Sequence, residues 1–352
     1  MELGIYSFAE VLADPVTHRM ISPAQRLKEI VEEIVLADQV GLDVYGLGEH
    51  HRKDFASSSP AVILAAAAAR TANIRLTSAV TVLSSADPVR VFQDFATLDL
   101  LSEGRAEIMA GRGAFTESFP LFGLALDDYD ELFAERLDPL LALRDHEQVT
   151  WSGKHRPPLR RQGVYPRPVQ AELPLWIGVG GTPASAIRAG ALGLPMALGI
   201  IGGDTRRFAP LADLYRNTGI AHGHDPAALR VSINSHGYFA SSQRQAVDDT
   251  YPYFMAAMEN FLGQPASALP DRNQYEAEMS TEGALVAGTA DQVAEKIVYQ
   301  HDLFGHDRFL MQISLGTMPH RDVMRSIELL GTEVAPLVHR AIDARTSGLV
   351  SA

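Results

Sequence analysis

The apolar residues of this chain follow two patterns that alternate along its length. Short continuous apolar runs predict buried strands, and longer segments with apolar residues every three or four positions predict helices that pack one face on a core. The strands are predicted at residues 3–8, 44–48, 74–83, 104–110, 175–179, 196–201, 231–240 and 309–315. Their alternation with helices favours a parallel sheet closed into a (β/α)8 TIM barrel over an open doubly wound sheet.

Helices separate the predicted strands, and capping residues mark where some of them begin and end. Ser22 and Pro23 predict a helix that ends at Gly41, and Thr289 with Gln292 has the spacing of a capping box. Further helices are predicted at about residues 59–71, 87–100, 128–144, 184–192, 204–218, 243–261, 289–302 and 321–342. We predict one domain, 1–352, in which two polar stretches interrupt this order. They are an insertion with a short hairpin at about 145–173 and a mobile lid or loop excursion at 263–288.

Composition excludes several classes of protein. Lys and Arg number 30 against 43 Asp and Glu, a formal net charge of −13, so no nucleic-acid partner is expected. The absence of cysteine excludes disulfides and thiolate metal sites and favours a cytoplasmic protein. The longest apolar run, 60–69, is too short to span a bilayer, so no membrane association is expected. We expect the N-terminus to be a first strand and not a signal peptide.

Titratable side chains directly follow the second predicted strand. The apolar run at residues 42–48 ends in Glu49, His50 and His51. Because side chains alternate along a strand, Glu49 and His51 should face one way and His50 the other. The carboxyl ends of barrel strands form the catalytic face of this fold, so we expect the three residues in an active site. A loop decoration without function is the alternative.

Small residues follow the fifth predicted strand. The segment from Gly178 to Ser185 places glycines and the Thr182 and Ser185 hydroxyls at the start of a helix, where backbone N–H groups attract anions. Arg112, between two glycines after the fourth strand, adds a charge suited to phosphate. A glycine pair alone is more often a tight turn. Together the two segments favour a phosphate-bearing cofactor.

Six segments of the chain, in this order, resemble one family. The chain is similar to the bacterial-luciferase-like, flavin-dependent monooxygenases over most of its length. The similarity is carried by Gly48–His51, Ala79–Arg90, Ser102–Arg105, Gly111–Gly113, Val179–Pro183 and Gly316–His320.

The resemblance implies a barrel, usually dimeric, with FMN at the carboxyl ends of its strands. It implies that Glu49 lies beside the flavin in the catalytic centre, that His50 is the catalytic acid or base, and that Ala79–Val80 is a non-proline cis peptide beneath the flavin ring. Ala79 and Val80 are thus expected to bind the cofactor with Glu49. The other cofactor-binding residues, including Ser185 from the anion-binding pattern, are Gly111, Arg112, Gly113, Ala114, Gly178, Val179, Gly180, Gly181, Thr182 and Ser185.

Two departures from the family pattern argue against light emission. Gly111 stands where light-emitting members carry a reactive cysteine, and Gly180 replaces a carboxylate. Neither departure should disturb flavin binding.

The resulting hypothesis is a homodimeric monooxygenase that uses reduced FMN and O₂ to oxygenate a small organic substrate. The helices at 59–71 and 87–100 are the expected dimer interface. Since no nicotinamide site is recognisable, we expect a separate NAD(P)H:flavin reductase, and we expect no metal ion. The substrate pocket is expected to include Phe8, Phe115, Phe119, Met318 and residues after 263. His236 is added from its place near a strand end, although a structural core histidine fits that place equally well.

Three alternative functions remain open. An F420-dependent reductase would use the same barrel. A metal-dependent hydrolase would bind a cation through Glu49 and His51, although a catalytic zinc site normally has three protein ligands. A non-catalytic flavin-binding subunit would lack turnover, and the Glu49–His50 pair argues against it.

Overall fold

Strands and helices alternate along the chain, as the apolar pattern predicts. The structure, a computed structural model, describes residues 1–346. Its strands are β1 (Glu2–Ser7), β2 (Val44–Leu47), β3 (Arg75–Ser78), β4 (Thr81–Val82), β5 (Ala106–Gly111), β6 (Gln148–Trp151), β7 (Leu159–Gly163), β8 (Leu175–Val179), β9 (Met196–Ile200), β10 (Val231–Phe239), β11 (Val286–Gly288) and β12 (Arg308–Gln312). Its α-helices are α1 (Pro23–Gln39), α2 (Pro60–Ala68), α3 (Pro88–Leu101), α4 (Ser118–Leu121), α5 (Tyr129–Asp145), α6 (Pro183–Ala191), α7 (Ala209–Ala221), α8 (Gln243–Leu262), α9 (Arg272–Ala277), α10 (Ala290–Phe304), α11 (His320–Leu329) and α12 (Ala335–Thr346).

Eight of the strands in the described chain close into a parallel barrel. Their order around the ring is β1, β2, β3, β5, β8, β9, β10 and β12, and β12 pairs with β1. Ile5 of β1, for example, lies between Tyr45 of β2 and Met311 of β12. The predicted (β/α)8 fold is therefore confirmed. Because all eight strands run the same way, their carboxyl ends lie on one rim, which we call the carboxyl rim.

Large side chains fill the inside of the barrel. Tyr6, Trp176 and Leu310 belong to a buried inner cluster, and Phe8 and Val80 pack against it. The interior is therefore a packed core, and in this fold ligands bind above such a core, at the carboxyl rim.

A buried ion pair closes the opposite end of the barrel. Arg308, at the start of β12, has no exposed surface, and its two terminal nitrogens donate to the Glu107 carboxylate at 2.7 and 3.1 Å. Its Nε donates to Oε2 of Glu2 at 2.7 Å, and its guanidinium lies 4.3 Å from the Trp176 ring centroid. The paired carboxylates and the aromatic face compensate for burying the charge.

Two predicted elements are interrupted in the structure. The strand predicted at 74–83 is divided into β3 and β4 by the cis peptide Ala79–Val80. The helix predicted at 321–342 is divided into α11 and α12 by a π-helical segment, Leu330–Val334. At this segment Gly331 approaches the end of α1 so closely that a Cβ atom on it would lie 2.5 Å from a Val40 methyl.

The two polar stretches differ in how well they were predicted. Within 145–173, β6 and β7 form the predicted antiparallel hairpin. The stretch at 263–288 has more regular structure than predicted, since it contains α9 and also β11, which pairs with β10. Tyr275 and Met279 are buried there, which explains why it packs on the barrel. None of the helices within residues 1–346 has the length and apolar character needed to cross a bilayer.

Candidate active site

Glu49 and His51 form a pair directly after β2. Oε1 of Glu49 lies 2.9 Å from Nε2 of His51, and Oε2 accepts a hydrogen bond from the backbone N–H of Val82 at 3.0 Å. The predicted orientation of these two side chains on one side of the strand is therefore confirmed. The carboxylate also links the end of β2 to the short strand β4.

His50 faces the other way, into a group of aromatic rings. Its imidazole stacks on Phe55 with ring centroids 4.1 Å apart and meets Phe8 and Phe115 edge-on at 4.9 and 5.3 Å. Nε2 of His50 is buried and has no hydrogen-bond partner among residues 1–346. An unpaired buried nitrogen costs about 1–3 kcal/mol, so this atom is a strong candidate for contact with a ligand.

The electrostatic surroundings of His50 favour its neutral form. Burial, together with the neighbouring His51 and Arg52 and against an opposing effect of Asp54, lowers the pKa of His50 to about 4. At neutral pH the imidazole can therefore accept a proton or a hydrogen bond at one nitrogen.

Two glycines make room for the side chain of Val80 at the carboxyl rim. A Cβ atom on Gly111 would lie 2.6 Å from a Val80 methyl, and one on Gly178 would lie 2.9 Å from the other methyl. The Ala79–Val80 peptide is cis, as the resemblance implied. The departure at Gly111 thus has a steric cause in this structure, because a cysteine there would displace Val80.

Arg112 joins two segments that are distant in the sequence. Its Nη2 lies 3.1 Å from Oγ1 of Thr182 and 3.4 Å from Oγ of Ser185, at the start of α6. Its Nη1 donates to Asp130 at 2.5 Å, but the Asp130 side chain is 76% exposed, so solvent screens this pair. Thr182 makes no side-chain capping bond to α6.

The start of α6 and Arg112 together make a cationic cradle, which we define as Arg112, Gly180, Gly181, Thr182 and Ser185. A Cβ atom on Gly180 would have no heavy atom within 4 Å, so the space beside this backbone is open. Helix dipole, guanidinium and hydroxyls all favour a bound anion there.

A cavity of about 320 Å³ lies beside this cradle on the carboxyl rim. Ala114, Phe115 and Tyr129 are among its lining residues, and the Tyr129 ring is 5.2 Å from the Arg112 guanidinium. The cavity thus lies between the cationic cradle and the aromatic surroundings of His50, and it also touches Gly113.

The predicted substrate residues do not all lie together. Phe8 and Phe115 contact His50, whereas Phe119 is buried against Tyr129. Met318 lines a different groove, with Tyr238 and Tyr253 among its neighbours, and His236 lines a separate small cavity.

Sequence reasoning missed part of the aromatic group. Phe55 stacks on both His50 and Phe261, the latter with centroids 5.2 Å apart, and Arg52 lies 4.6 Å from the Phe115 centroid. Phe55 and Arg52 follow the Glu-His-His segment closely and could have been included. Phe261, at the end of α8, has no such signal.

The structure also bears on metal binding. Glu49 and His51 are bonded to each other, so a cation would have to break this pair. Among residues 1–346, one group of three potential ligands converges, Asp128, Glu131 and His155. The Lys154 ammonium lies 2.8 Å from Glu131 and already supplies its positive partner.

A family comparison identifies the class of protein. A family model described as luciferase-like monooxygenase matches residues 1–307. The chain belongs to the luciferase-like monooxygenase family. Among curated relatives, the 4-hydroxyprotoasukamycin monooxygenase of Streptomyces nodosus subsp. asukaensis is 28% identical over 328 residues, 88% of this chain and 86% of that protein.

Several solved structures share the fold. The monooxygenase RslO1 of Streptomyces bottropensis has a TM-score of 0.81 at 24% identity and covers 96% of this chain and 99% of its own. The oxygenating constituent of 3,6-diketocamphane monooxygenase from Pseudomonas putida, in complex with FMN, has a TM-score of 0.76 at 20% identity, with 96% and 98% covered. An F420-dependent secondary alcohol dehydrogenase has a TM-score of 0.74 at 19% identity, with the same coverage.

Replacement of Arg112 should test the cationic cradle. Arg112→Met removes the charge and leaves the hydroxyls of Thr182 and Ser185. The Kd for FMN, the cofactor that the sequence resemblance implies, should therefore rise about 10- to 100-fold, the equivalent of roughly 1.5–3 kcal/mol. Quenching of flavin fluorescence measures this Kd. Arg321→Met, at an arginine with 87% exposed side chain, is the matched control and should leave it unchanged. An unaltered Kd in Arg112→Met would refute the phosphate role.

The depressed pKa of His50 predicts how stability depends on pH. Between pH 6.5 and about 4 the unfolded chain binds a proton at this residue and the folded chain does not, so the free energy of unfolding falls as the pH falls. His50→Gln should reduce the loss between pH 7 and pH 5 by about 1–2 kcal/mol, as measured by urea unfolding at both pH values. His222→Gln, at an exposed histidine, is the control and should lose as much unfolding free energy between pH 7 and pH 5 as the natural chain. If His50→Gln also loses as much as the natural chain, His50 is not the source of this pH dependence.

Proposed function

We propose that this member of the luciferase-like monooxygenase family is an FMN-dependent monooxygenase that oxygenates a small organic substrate with O₂. The observation that carries the proposal is the arrangement on one rim of a cationic cradle, a floor formed by Val80 and an aromatic group around a neutral histidine. The relative named as a monooxygenase, 28% identical over most of both chains, supports oxygen chemistry.

The residues present suit FMN. Arg112, Thr182 and Ser185 would hold its phosphate, since they present a guanidinium and two hydroxyls at a helix start. The flavin ring would lie on the Val80 side of the rim, where Gly111 and Gly178 leave no side chain of their own. When bound, reduced FMN supplies the electrons with which O₂ is activated.

The chain's own residues would contribute shielding and proton handling. The rings of Phe8, Phe55 and Phe115 exclude water from around His50, which strengthens electrostatic interactions there. His50, neutral at physiological pH, would take up or return a proton at its unpaired Nε2. Glu49 would fix the segment from β2 to β4 through its bonds to His51 and Val82.

The proposal includes partners and location. Reduced FMN would come from a separate NAD(P)H:flavin reductase, and the protein would act in the cytoplasm as a homodimer. The α2–α3 surface supports the dimer, because Val62, Ala66 and Ala69 form an exposed apolar stripe and Leu100 and Leu101 are exposed on the next helix.

A parallel titration with FMN and F420, each oxidised and reduced under anaerobic conditions, tests the cofactor. We expect reduced FMN to bind most tightly. Rapid mixing of that complex with O₂ should then reoxidise the flavin, and stopped-flow absorbance measures this reoxidation. Preference for F420 would replace this proposal with the reductase. Flavin binding without substrate-dependent O₂ consumption across a broad substrate screen would instead favour a non-catalytic subunit.

His50→Ala should separate catalysis from binding. The variant loses the imidazole to which we assign proton transfer, so coupled oxygenation should fall about 100- to 10,000-fold. The Kd for reduced FMN should change little. Product formed per FMN oxidised, by mass spectrometry, measures the effect. His222→Ala, at an exposed histidine outside the rim, is the control. Unchanged oxygenation in His50→Ala would remove the residue from the mechanism.

A charge in the apolar stripe should dissociate the proposed dimer. Val62→Glu places a carboxylate at a residue whose surface is 71% exposed and would bury that charge in the interface, so sedimentation velocity should show a monomer. Leu262→Glu, at an apolar residue 56% exposed on α8, should sediment like the natural chain. A Val62→Glu variant that remains dimeric would place the interface elsewhere.

A further inference from the structure

A second, smaller cavity lies under the 263–288 stretch at the carboxyl rim. Its volume is about 80 Å³, which is room for roughly two or three water-sized groups. Its lining includes Ile201, His236, Phe254, Tyr275, Leu285 and Leu315. The cavity is therefore mostly apolar and suits one end of a small molecule.

Three polar side chains belong to this lining, those of His236, Tyr275 and Glu278. The Tyr275 hydroxyl donates to Oγ1 of Thr250 at 2.8 Å. Oε2 of Glu278 accepts from the backbone N–H of Gly203 at 2.8 Å. The imidazole of His236, which also lines the cavity, offers a ligand a further hydrogen-bonding group.

The amide of Gln312, next to His236, can adopt only one orientation. Its Nε2 donates to Oε1 of Glu10 at 3.0 Å and to the carbonyl oxygen of Ser314 at 3.1 Å. The Ser314 carbonyl can only accept, so a reversed amide would lose this bond and place two oxygens against each other. Its own oxygen, Oε1, is therefore directed elsewhere and is buried without a close partner among residues 1–346.

His236 is the neighbour that this oxygen can serve. Gln312 and His236 are paired across the β12–β10 ladder, so their side chains are neighbours. Burial lowers the pKa of His236 to about 4, against a smaller raising effect of the Gln312 side chain. The ring is thus neutral at pH 7. An acceptor at one nitrogen requires an N–H there, so the other nitrogen carries the lone pair.

We propose that Glu10 and Gln312 are positioning residues that hold His236 in one neutral tautomer, with its unprotonated nitrogen available in the small cavity to bind the O–H or N–H end of an otherwise apolar substrate. The substrate class rests on the monooxygenase function proposed above, whereas the tautomer does not. Glu10 suits the task because it is fully buried, and its Oε1 can accept the amide N–H whether or not the acid is protonated.

The tautomer can be observed directly in protein labelled with ¹⁵N-histidine. Two-dimensional ¹H–¹⁵N correlation of ring nitrogens, with His236 assigned from its loss in His236→Asn, should show one N–H and one unprotonated nitrogen at pH 7 with widely separated shifts. Gln312→Leu and Glu10→Leu, which remove the oxygen next to His236 and the acceptor that holds the Gln312 amide, should bring the two shifts towards an average. Gln300→Leu, at another buried glutamine, is the control and should keep them apart.

These measurements need no flavin, so they are independent of the function proposed above. If His236 keeps its separated shifts in folded Gln312→Leu and Glu10→Leu, the positioning role is overturned. Circular dichroism establishes that each variant is folded, and Glu10→Leu carries the test if Gln312→Leu does not fold.

The substrate class is tested with 1-hexanol and its methyl ether, 1-methoxyhexane. Both have the same apolar chain, but only the alcohol donates a hydrogen bond. We expect the alcohol alone to move the unprotonated nitrogen of His236 upfield, and His236→Asn to abolish the binding difference. Equal effects of the two probes, or no effect of either, would overturn the substrate class while leaving the tautomer result and the flavin result to stand separately.

Discussion

Closure of the parallel barrel is the constraint on which the rest of this structure depends. Hydrogen bonding between β12 and β1, and between β9 and β10, forces every strand of the ring to end on the same rim. Residues far apart in the sequence therefore meet there without long connecting segments. Arg112 and Thr182 are 70 positions apart and within hydrogen-bond distance. The chemistry of the site is thus a consequence of strand direction before it is a consequence of any side chain.

The rim divides into two electrically different halves. On one side Arg112 and the start of α6 supply positive charge and donors. On the other side His50 lies among rings that hold its charge to zero and leave Nε2 without a partner. An anionic group and an uncharged reacting group would thus be attracted to different places, which fixes the orientation of any molecule that contains both.

The fold was largely predictable because periodicity and capping are local signals. The strand ends at Glu49 and Arg112 were found for the same reason, since an apolar run that stops at a charge can be read directly. The break at Ala79–Val80 came from the resemblance and not from the apolar pattern, which continues through it. The contacts of Gln312 with Glu10, and of Phe261 with Phe55, depend on packing between distant segments. No spacing in the sequence encodes such contacts. In the 263–288 stretch, Tyr275 and Met279 alone do not make an apolar periodicity strong enough to predict a packed segment.

The ion pair of Arg308 with Glu107 has a consequence for how this protein can change over evolution. It lies at the amino-terminal ends of β12 and β5, and so at the far end of the barrel from the rim. Substitutions in the rim segments leave this pair and its aromatic neighbour Trp176 untouched. Residues that select a ligand can therefore be exchanged during evolution while the ion pair at the far end continues to stabilise the barrel. New specificities can arise in this way with little loss of stability.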